Sequence, residues 1–322
     1  MNEFALIDRY FRRTPHNPDI RIGVGDDGAV IAPAPGMDFV VSVDMLVEGR
    51  HFRPDADPVA LGHKALAVNL SDLAAMGALP RFVLLAGALP SPDADWVAAF
   101  MRGFDALAGD YDVELIGGDT TRGPRNLCIT AIGELPAGTA LTRAGASPGD
   151  VVFVSGSLGD AALALAASNA RIEVDKRDLA AAERRLGRPQ PRVALGVALR
   201  GIASAAIDVS DGLVGDLGHV LSASRVGAEI DLASIPCSDA LRALLAGDER
   251  SLGRACVLAG GDDYELCFTA PPAMRERVAA IAQALALPLT AVGSVTVGGV
   301  LTVRDEQGRP LQPLPRAFDH FG

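Results

Sequence analysis

Hydrophobic and polar positions alternate with two different periods along this chain. Short apolar runs at 39–43, 82–88, 113–116 and 127–132 have the length and β-branched content of strands. Between them lie two stretches with helical spacing. The first has Asp57 as N-cap, Pro58 in first position and Gly77 just past its end, the usual start and stop signals of a helix. Val59, Leu66, Leu70 and Leu73 recur at helical spacing and predict its buried stripe. The second is predicted to start at Ser91-Pro92 and run to about Ala108, with Trp96 and Phe100 four apart on one face. This half reads as an α+β or α/β domain.

Periodicity stops after Glu134. Leu135-Pro136-Ala137-Gly138-Thr139 and the stretch R-A-G-A-S-P-G-D at 143–150 are turn chemistry, which places a domain boundary there and divides the chain into 1–137 and 138–322. The second half is predicted to hold strands at 151–155, 205–209, 228–232 and 266–269. Its helices are expected at 160–167, after Pro189-Gln190-Pro191, at 213–224 and at 272–287. No fixed-period repeat is visible.

A length of 322 residues suits two domains, and 49% hydrophobic with 21% charged residues supplies ample core. The 29 basic against 40 acidic residues give a net charge of −11, and no basic run interleaves with aromatics. Nucleic acid and anionic membrane surfaces are therefore not expected partners. With Lys64 and Lys176 the only lysines, anion recognition must rest on arginine or a bound metal. Cys128, Cys237, Cys256 and Cys267 form no C-x-x-C pair and read as thiols of a cytoplasmic core. The charged start 1–14 lacks the apolar segment of a signal peptide, and no apolar run approaches the roughly 20 residues of a membrane span.

Gly23-Val24-Gly25-Asp26-Asp27-Gly28 matches G-x-G-x-x-G literally, but two carboxylates stand where a pyrophosphate would approach backbone amides. A phosphate could lie there only across a cation. No Gly-Lys dipeptide, H-R-D, D-F-G, H-E-x-x-H or G-x-S-x-G occurs, which sets aside Walker-type, protein-kinase, zincin and serine-hydrolase chemistry. Present instead are aspartates in glycine-rich or strand-end settings: Asp26, Asp27, Asp44, Asp72, Asp119, Asp208, Asp211, Asp262 and Asp263. Each taken singly is an ordinary turn residue. Asp72 differs, because it lies inside the first helix beside Asn69 with Leu70 and Leu73 as neighbours, where a buried carboxylate needs a partner. Together they suit a hard cation that carries phosphate oxygens, hence metal-assisted phosphoryl transfer, which demands positioning more than a base. Arg143 and Arg122 are candidate phosphate contacts, and His51 is a candidate contact to the phosphoryl acceptor.

The blocks G-V-G-D-D-G-A, S-V-D-M-L-V-E-G-R-H-F, K-A-L-A-V-N-L-S-D-L-A-A-M-G-A, L-I-G-G-D-T-T-R-G, L-T-R-A-G-A-S-P-G-D, A-I-D-V-S-D-G-L and G-G-D-D-Y-E-L, in this order, resemble the thiamine-monophosphate kinase family. That family belongs to the aminoimidazole ribonucleotide synthetase-like ATP-binding proteins. The resemblance implies an N-terminal α+β domain with a mixed sheet and flanking helices, which forms a barrel in a homodimer, and a C-terminal α/β domain. It further implies ATP-dependent phosphorylation of thiamine monophosphate with several Mg²⁺ ions. By it, Asp27, Ser42, Asp44, Asp72, Asp119, Asp208 and Asp211 are metal ligands. Gly118, Asp119, Arg143 and Ser210 match ATP-binding positions, while His51, Asp262 and Phe318 match substrate contacts.

Two positions depart from the family pattern: Val43 where threonine is frequent, and Asp262 where glutamate is usual. An aminoimidazole ribonucleotide synthetase-type ligase and a nucleotide-binding regulator without turnover are the alternatives. Selenophosphate synthetase and the hydrogenase-maturation dehydratase need a terminal cysteine, and this chain has none before Cys128 or after Cys267.

Overall fold

Two strands of equal length, Met37–Val47 (β3) and Asn126–Pro136 (β6), pair antiparallel in unbroken register from Met37 opposite Pro136 to Val47 opposite Asn126. They are the spine of the first of two compact units. The computed structural model describes residues 9–317 apart from positions 13, 23, 25–28 and 33. One unit reaches to Leu73 and resumes over Ala78–Thr139; the other holds Ala74–Gly77 and the chain from Ala140 onward.

In the first unit β6 also pairs antiparallel with β4 (Leu79–Leu89), which runs parallel to β5 (Glu114–Arg122). The sheet order is β3-β6-β4-β5, and a short antiparallel pair, β1 (Ile20–Ile22) and β2 (Val30–Ile31), stands apart from it. Helix α1 spans Pro58–Ala75, and the Asp57 carboxylate accepts the Val59 and Ala60 N–H groups at 3.2 Å each, as an N-cap should. The expected stripe is only part of its packing. Leu66, Leu70 and Leu73 are fully buried and Val59 only partly, but Ala65, Ala67, Val68, Ala74 and Ala75 are buried as well, so almost the whole circumference is core.

Helix α2 spans Ala94–Asp110, not from Ser91, because Asp93 caps it by accepting the Asp95 and Trp96 N–H groups at 3.1 Å. Trp96 and Phe100 stack with centroids 5.4 Å apart. The two helices touch backbone to backbone: a Cβ on Gly62 would fall 1.9 Å from the Phe100 carbonyl oxygen, and one on Gly103 1.8 Å from that of Val59.

The second unit is built on six strands in the order β12-β9-β11-β7-β10-β8: β7 (Val151–Ser155), β8 (Ala205–Val209), β9 (Gly227–Asp231), β10 (Glu265–Ala270), β11 (Leu289–Thr296) and β12 (Leu301–Arg304). Every neighbouring pair is antiparallel except β12 with β9, so this α/β unit has a mixed sheet with little of the parallel pattern. All residues of β7, β8 and β10 are buried, which explains their continuous apolar runs. Its helices are α3 (Asp160–Ser168), α4 (Lys176–Gly187), α5 (Val193–Leu199), α6 (Leu213–Ser224), α7 (Asp239–Ala246), α8 (Arg250–Ala259) and α9 (Arg275–Ala284).

The helix expected over 272–287 is a 3₁₀ turn at Pro272–Met274 followed by α9. Helices α4, α7 and α8 and strands β11 and β12 were not expected. In α4 only Ala182 is buried, so K-R-D-L-A-A-A-E-R-R-L-G offers no apolar stripe to read.

Beneath β7 and β10 lies a buried charge cluster. Glu265, with no exposed surface, accepts Arg192 Nε at 2.6 Å, Arg192 Nη2 at 2.5 Å, Arg185 Nη2 at 2.7 Å and Ser155 Oγ at 2.6 Å. Two guanidinium groups and a hydroxyl thus satisfy one carboxylate taken out of water. Among the described residues, no helix is long and apolar enough to cross a membrane.

Candidate functional site

In the first unit the alternation of β3 places Ser42, Asp44 and Leu46 on the face toward α1, while Val41, Val43 and Met45 point away and stay 62%, 59% and 52% exposed. Ser42 Oγ donates a short hydrogen bond to Asp72 Oδ2, and the Asp44 backbone N–H donates to Asn69 Oδ1 at 3.0 Å. Asn69 Nδ2 in turn donates to the Ala65 carbonyl at 3.0 Å, which fixes its amide orientation. Three predicted ligands, Ser42, Asp44 and Asp72, are therefore joined through one strand and one helix face. Asp44 does not end its strand, as its run F-V-V-S-V-D suggested, since pairing with β6 continues to Val47.

Asp119 is likewise inside a strand rather than after one, because β5 runs on to Arg122. It pairs with Ala86, Ala86 pairs with Cys128, and Cys128 pairs with Met45. That chain of partners puts β5 and β3 at opposite edges of the sheet, roughly 14 Å apart by three strand spacings, so Asp119 is not a strand neighbour of Ser42 or Asp44. Gly118 has φ +154°, and a Cβ there would lie 1.9 Å from the Leu85 carbonyl oxygen. The close approach of β4 by itself requires glycine. Arg122 is exposed at the end of β5.

His51 follows β3 in a turn: its own N–H donates to the Val47 carbonyl at 3.0 Å, and its Nδ1 accepts the Val47 N–H at 3.0 Å. The lone pair of Nδ1 is thereby engaged, and the proton of a neutral ring resides on Nε2. Asp26 and Asp27 of the glycine-rich turn, and Phe318, lie outside the described residues.

In the second unit antiparallel pairing brings the end of β8 beside the start of β10, with Val209 opposite Glu265 and Asp208 opposite Leu266. The loops that flank this pair meet. Asp262 N–H donates to the Ser210 carbonyl at 2.9 Å, and Tyr264 N–H to that of Val209 at 2.8 Å. Asp208, Ser210, Asp211 and Asp262 are thus gathered at one sheet end. Asp262 follows a helix, α8, and not a strand; it has φ +69° and its Oδ1 accepts the Tyr264 hydroxyl at 3.2 Å.

Asp263 belongs to the core. Both its oxygens accept the Gly159 N–H, at 3.0 and 2.9 Å, and complete burial pushes its carboxyl well above the usual range. Arg143 is exposed in the coil before β7, where its carbonyl accepts Ser224 Oγ at 3.1 Å.

Sequence reasoning missed Asp216 in the first turn of α6. Its Oδ2 accepts the Ser210 N–H at 3.0 Å and the Asp211 N–H at 3.1 Å. Burial pushes this carboxyl up to about 7, against the pull of the Asp211, Ser210 and Gly212 N–H groups. The signal was an acidic residue one turn into the helix that follows A-I-D-V-S-D-G.

Among the described residues, no three His, Cys, Asp or Glu side chains gather closely enough to hold a metal unaided. The donors are nonetheless oxygens throughout, the preference of Mg²⁺. That ion is usually held by one or two carboxylates with water and substrate phosphates completing the shell. The residues fit such an ion if a nucleotide brings part of its coordination.

Two mixed-sheet units joined in this order, each with aspartates at its edges, define a class. The AIR synthase related protein, N-terminal domain model matches residues 25–135, and the AIR synthase related protein, C-terminal domain model matches 147–306. Thiamine-monophosphate kinase of Escherichia coli (strain K12) is 46% identical over 99% of this chain and 98% of its own length. The crystal structure of thiamine-monophosphate kinase from Stenotrophomonas maltophilia K279a is 48% identical, with a TM-score of 0.86 over 94% of this chain and 97% of that one. The structure of AaThiL complexed with AMPPCP and TMP is 30% identical, with a TM-score of 0.78 over 90% and 89%. The chain belongs to the AIR synthase related proteins and, among them, to the thiamine-monophosphate kinase family.

Proposed function

We propose that this chain transfers the terminal phosphoryl group of ATP to thiamine monophosphate, giving thiamine diphosphate. The observation that carries this reading is the relation to thiamine-monophosphate kinase along 99% of the chain, supported by a shared fold with a relative captured with AMPPCP and TMP. Asp27, Ser42, Asp44, Asp72, Asp119, Asp208 and Asp211 are the residues we assign to Mg²⁺. These residues would hold Mg²⁺, whose chemistry when bound would be to neutralise the charge that two reacting phosphates bring together.

The chain's own groups then orient the reactants. Ser42 Oγ is held by Asp72, and the Asp44 backbone is held by Asn69, so the strand that carries both residues is fixed before substrate arrives. Gly118, Asp119, Arg143 and Ser210 are assigned to ATP, with the Arg143 guanidinium suited to a bidentate grip on phosphate. His51, Asp262 and Phe318 are assigned to thiamine monophosphate, and an aromatic ring at 318 suits a cationic thiazolium. No general base is required, because a phosphate monoester with a second pKa of about 6 is already an anion at neutral pH.

The active form is proposed to be a homodimer. Val41, Val43 and Met45 make an exposed apolar stripe on β3, an edge strand of its sheet, and a second copy would cover it.

The test is an assay of ADP release coupled to thiamine monophosphate, run on wild type and Asp44→Asn. Turnover that needs both substrates and Mg²⁺, and falls by about a hundredfold or more in the variant, is the expected result. ADP release indifferent to thiamine monophosphate would overturn the reading.

A further inference from the structure

We propose that Asp216 is a positioning residue for phosphoryl transfer, shaping the loop Ser210–Gly212 without touching substrate or metal itself. This rests on the assignment of Ser210 to ATP and of Asp208 and Asp211 to Mg²⁺ under the proposed function. Asp216 is 3% exposed, and one atom, Oδ2, accepts both consecutive N–H groups of Ser210 and Asp211. On its other edge the same loop is pinned by the Asp262 N–H on the Ser210 carbonyl. Gly212 closes it: φ is +107°, and a Cβ would fall 2.6 Å from the Ala259 carbonyl carbon.

Both faces of the Ser210–Asp211 peptide are thus fixed by groups outside the loop, so its side chains have one direction in which to project. Two consecutive amides on one oxygen need an acceptor at that point in space. A neutral amide oxygen there would serve as well as a carboxylate.

That last property makes the role separable from a metal-ligand or a merely structural one. Asp216→Ala, Asp216→Asn, Asp216→Glu and, as a core control, Leu217→Ala are compared for affinity toward AMPPCP with Mg²⁺ by calorimetry, and for kcat, KM and Tm. Leu217 is fully buried in the same helix, packs into the apolar core and makes none of the hydrogen bonds to the loop amides.

Asp216→Ala is expected to lose about tenfold or more in nucleotide affinity while the KM for thiamine monophosphate moves less than about threefold. Asp216→Asn should recover most of that loss. Leu217→Ala should lower Tm with nucleotide affinity intact. Should Asp216→Ala not fold, Asp216→Glu carries the test, since one more methylene displaces the oxygen while keeping charge, and it should show the same affinity loss.

Asparagine as damaging as alanine, or unchanged nucleotide affinity in the alanine or glutamate variant, would overturn the proposal. Nucleotide binding that follows this pattern in a protein unable to phosphorylate thiamine monophosphate would sustain it while refuting the proposed acceptor.

Discussion

The side-chain oxygen of Asn69 accepts the backbone N–H of Asp44 at 3.0 Å, tying the middle of β3 to α1 at the point where Asp44 and Asp72 face one another's elements. Asn69 is 1% exposed, and its Nδ2 is engaged by the Ala65 carbonyl, so neither end of the amide can be replaced by water without rearrangement. Asn69→Ala leaves a strand N–H without its acceptor, which costs about 1–3 kcal/mol. The expected outcome is that loss in urea unfolding, together with a weaker Mg²⁺ dependence of activity. Unchanged stability would show that the strand is held by its β6 pairing alone.

The thiols supply a pH prediction. Burial pushes Cys256 up to about 11 and Cys267 up to about 12, above the value of 9.0 that an exposed thiol has. The folded state therefore keeps protons that the unfolded chain gives up, and the sign follows: this stabilisation is complete below pH 9 and is lost as pH rises toward 11–12. Unfolding free energy should fall over that range. Thiol titration of the native protein at neutral pH should reach half-buried Cys128 first and the other three only on denaturation. Rapid native labelling of Cys267 would contradict its place in β10.

The exposed stripe on β3 makes the proposed dimer testable. Val41→Glu and Val43→Glu place charge on a face that is already exposed in the single chain, so neither should disturb its folding. Each should convert a dimer to monomer in analytical ultracentrifugation. A wild-type protein that sediments as a monomer at micromolar concentration would refute the assembly.

How far the site was legible depended on what each residue does. Asp57, Pro58 and Gly77 marked the limits of α1 because caps act locally, and the runs of β7 and β8 stood out because all their residues are buried. Asp44 and Asp119 were read as candidate ligands at strand ends, and the placement was wrong, since nothing in F-V-V-S-V-D or L-I-G-G-D shows how far the partner strands extend. The Arg185–Glu265–Arg192 cluster escaped because its meaning lies in contacts between elements 80 and 73 residues apart, whereas Asp216, whose partners Ser210 and Asp211 lie in the adjoining loop, was passed over as an ordinary acidic residue of a first helical turn. Helix α4 escaped for the opposite reason: it buries too little to show a period.

His51 decides between orientation and proton transfer. Its Nδ1 accepts the Val47 N–H at 3.0 Å, so that nitrogen holds the turn after β3 and has no free lone pair with which to take a proton. In a neutral ring Nε2 then carries the hydrogen, so the proposed contact to the acceptor phosphate is one in which His51 donates. A donor aimed at an anionic phosphate binds ground and transition states alike, because the acceptor oxygen needs no deprotonation. In His51→Asn the amide oxygen can take the place of Nδ1 in the turn, so the fold should be retained while the outer donor is lost. The KM for thiamine monophosphate should rise, with kcat at saturating acceptor within about tenfold of wild type and its pH profile unchanged. A fall in kcat of about a thousandfold at unchanged KM would instead make His51 a proton-transfer catalyst, and would require Nε2 to be the unprotonated nitrogen against the hydrogen bonding observed at Nδ1.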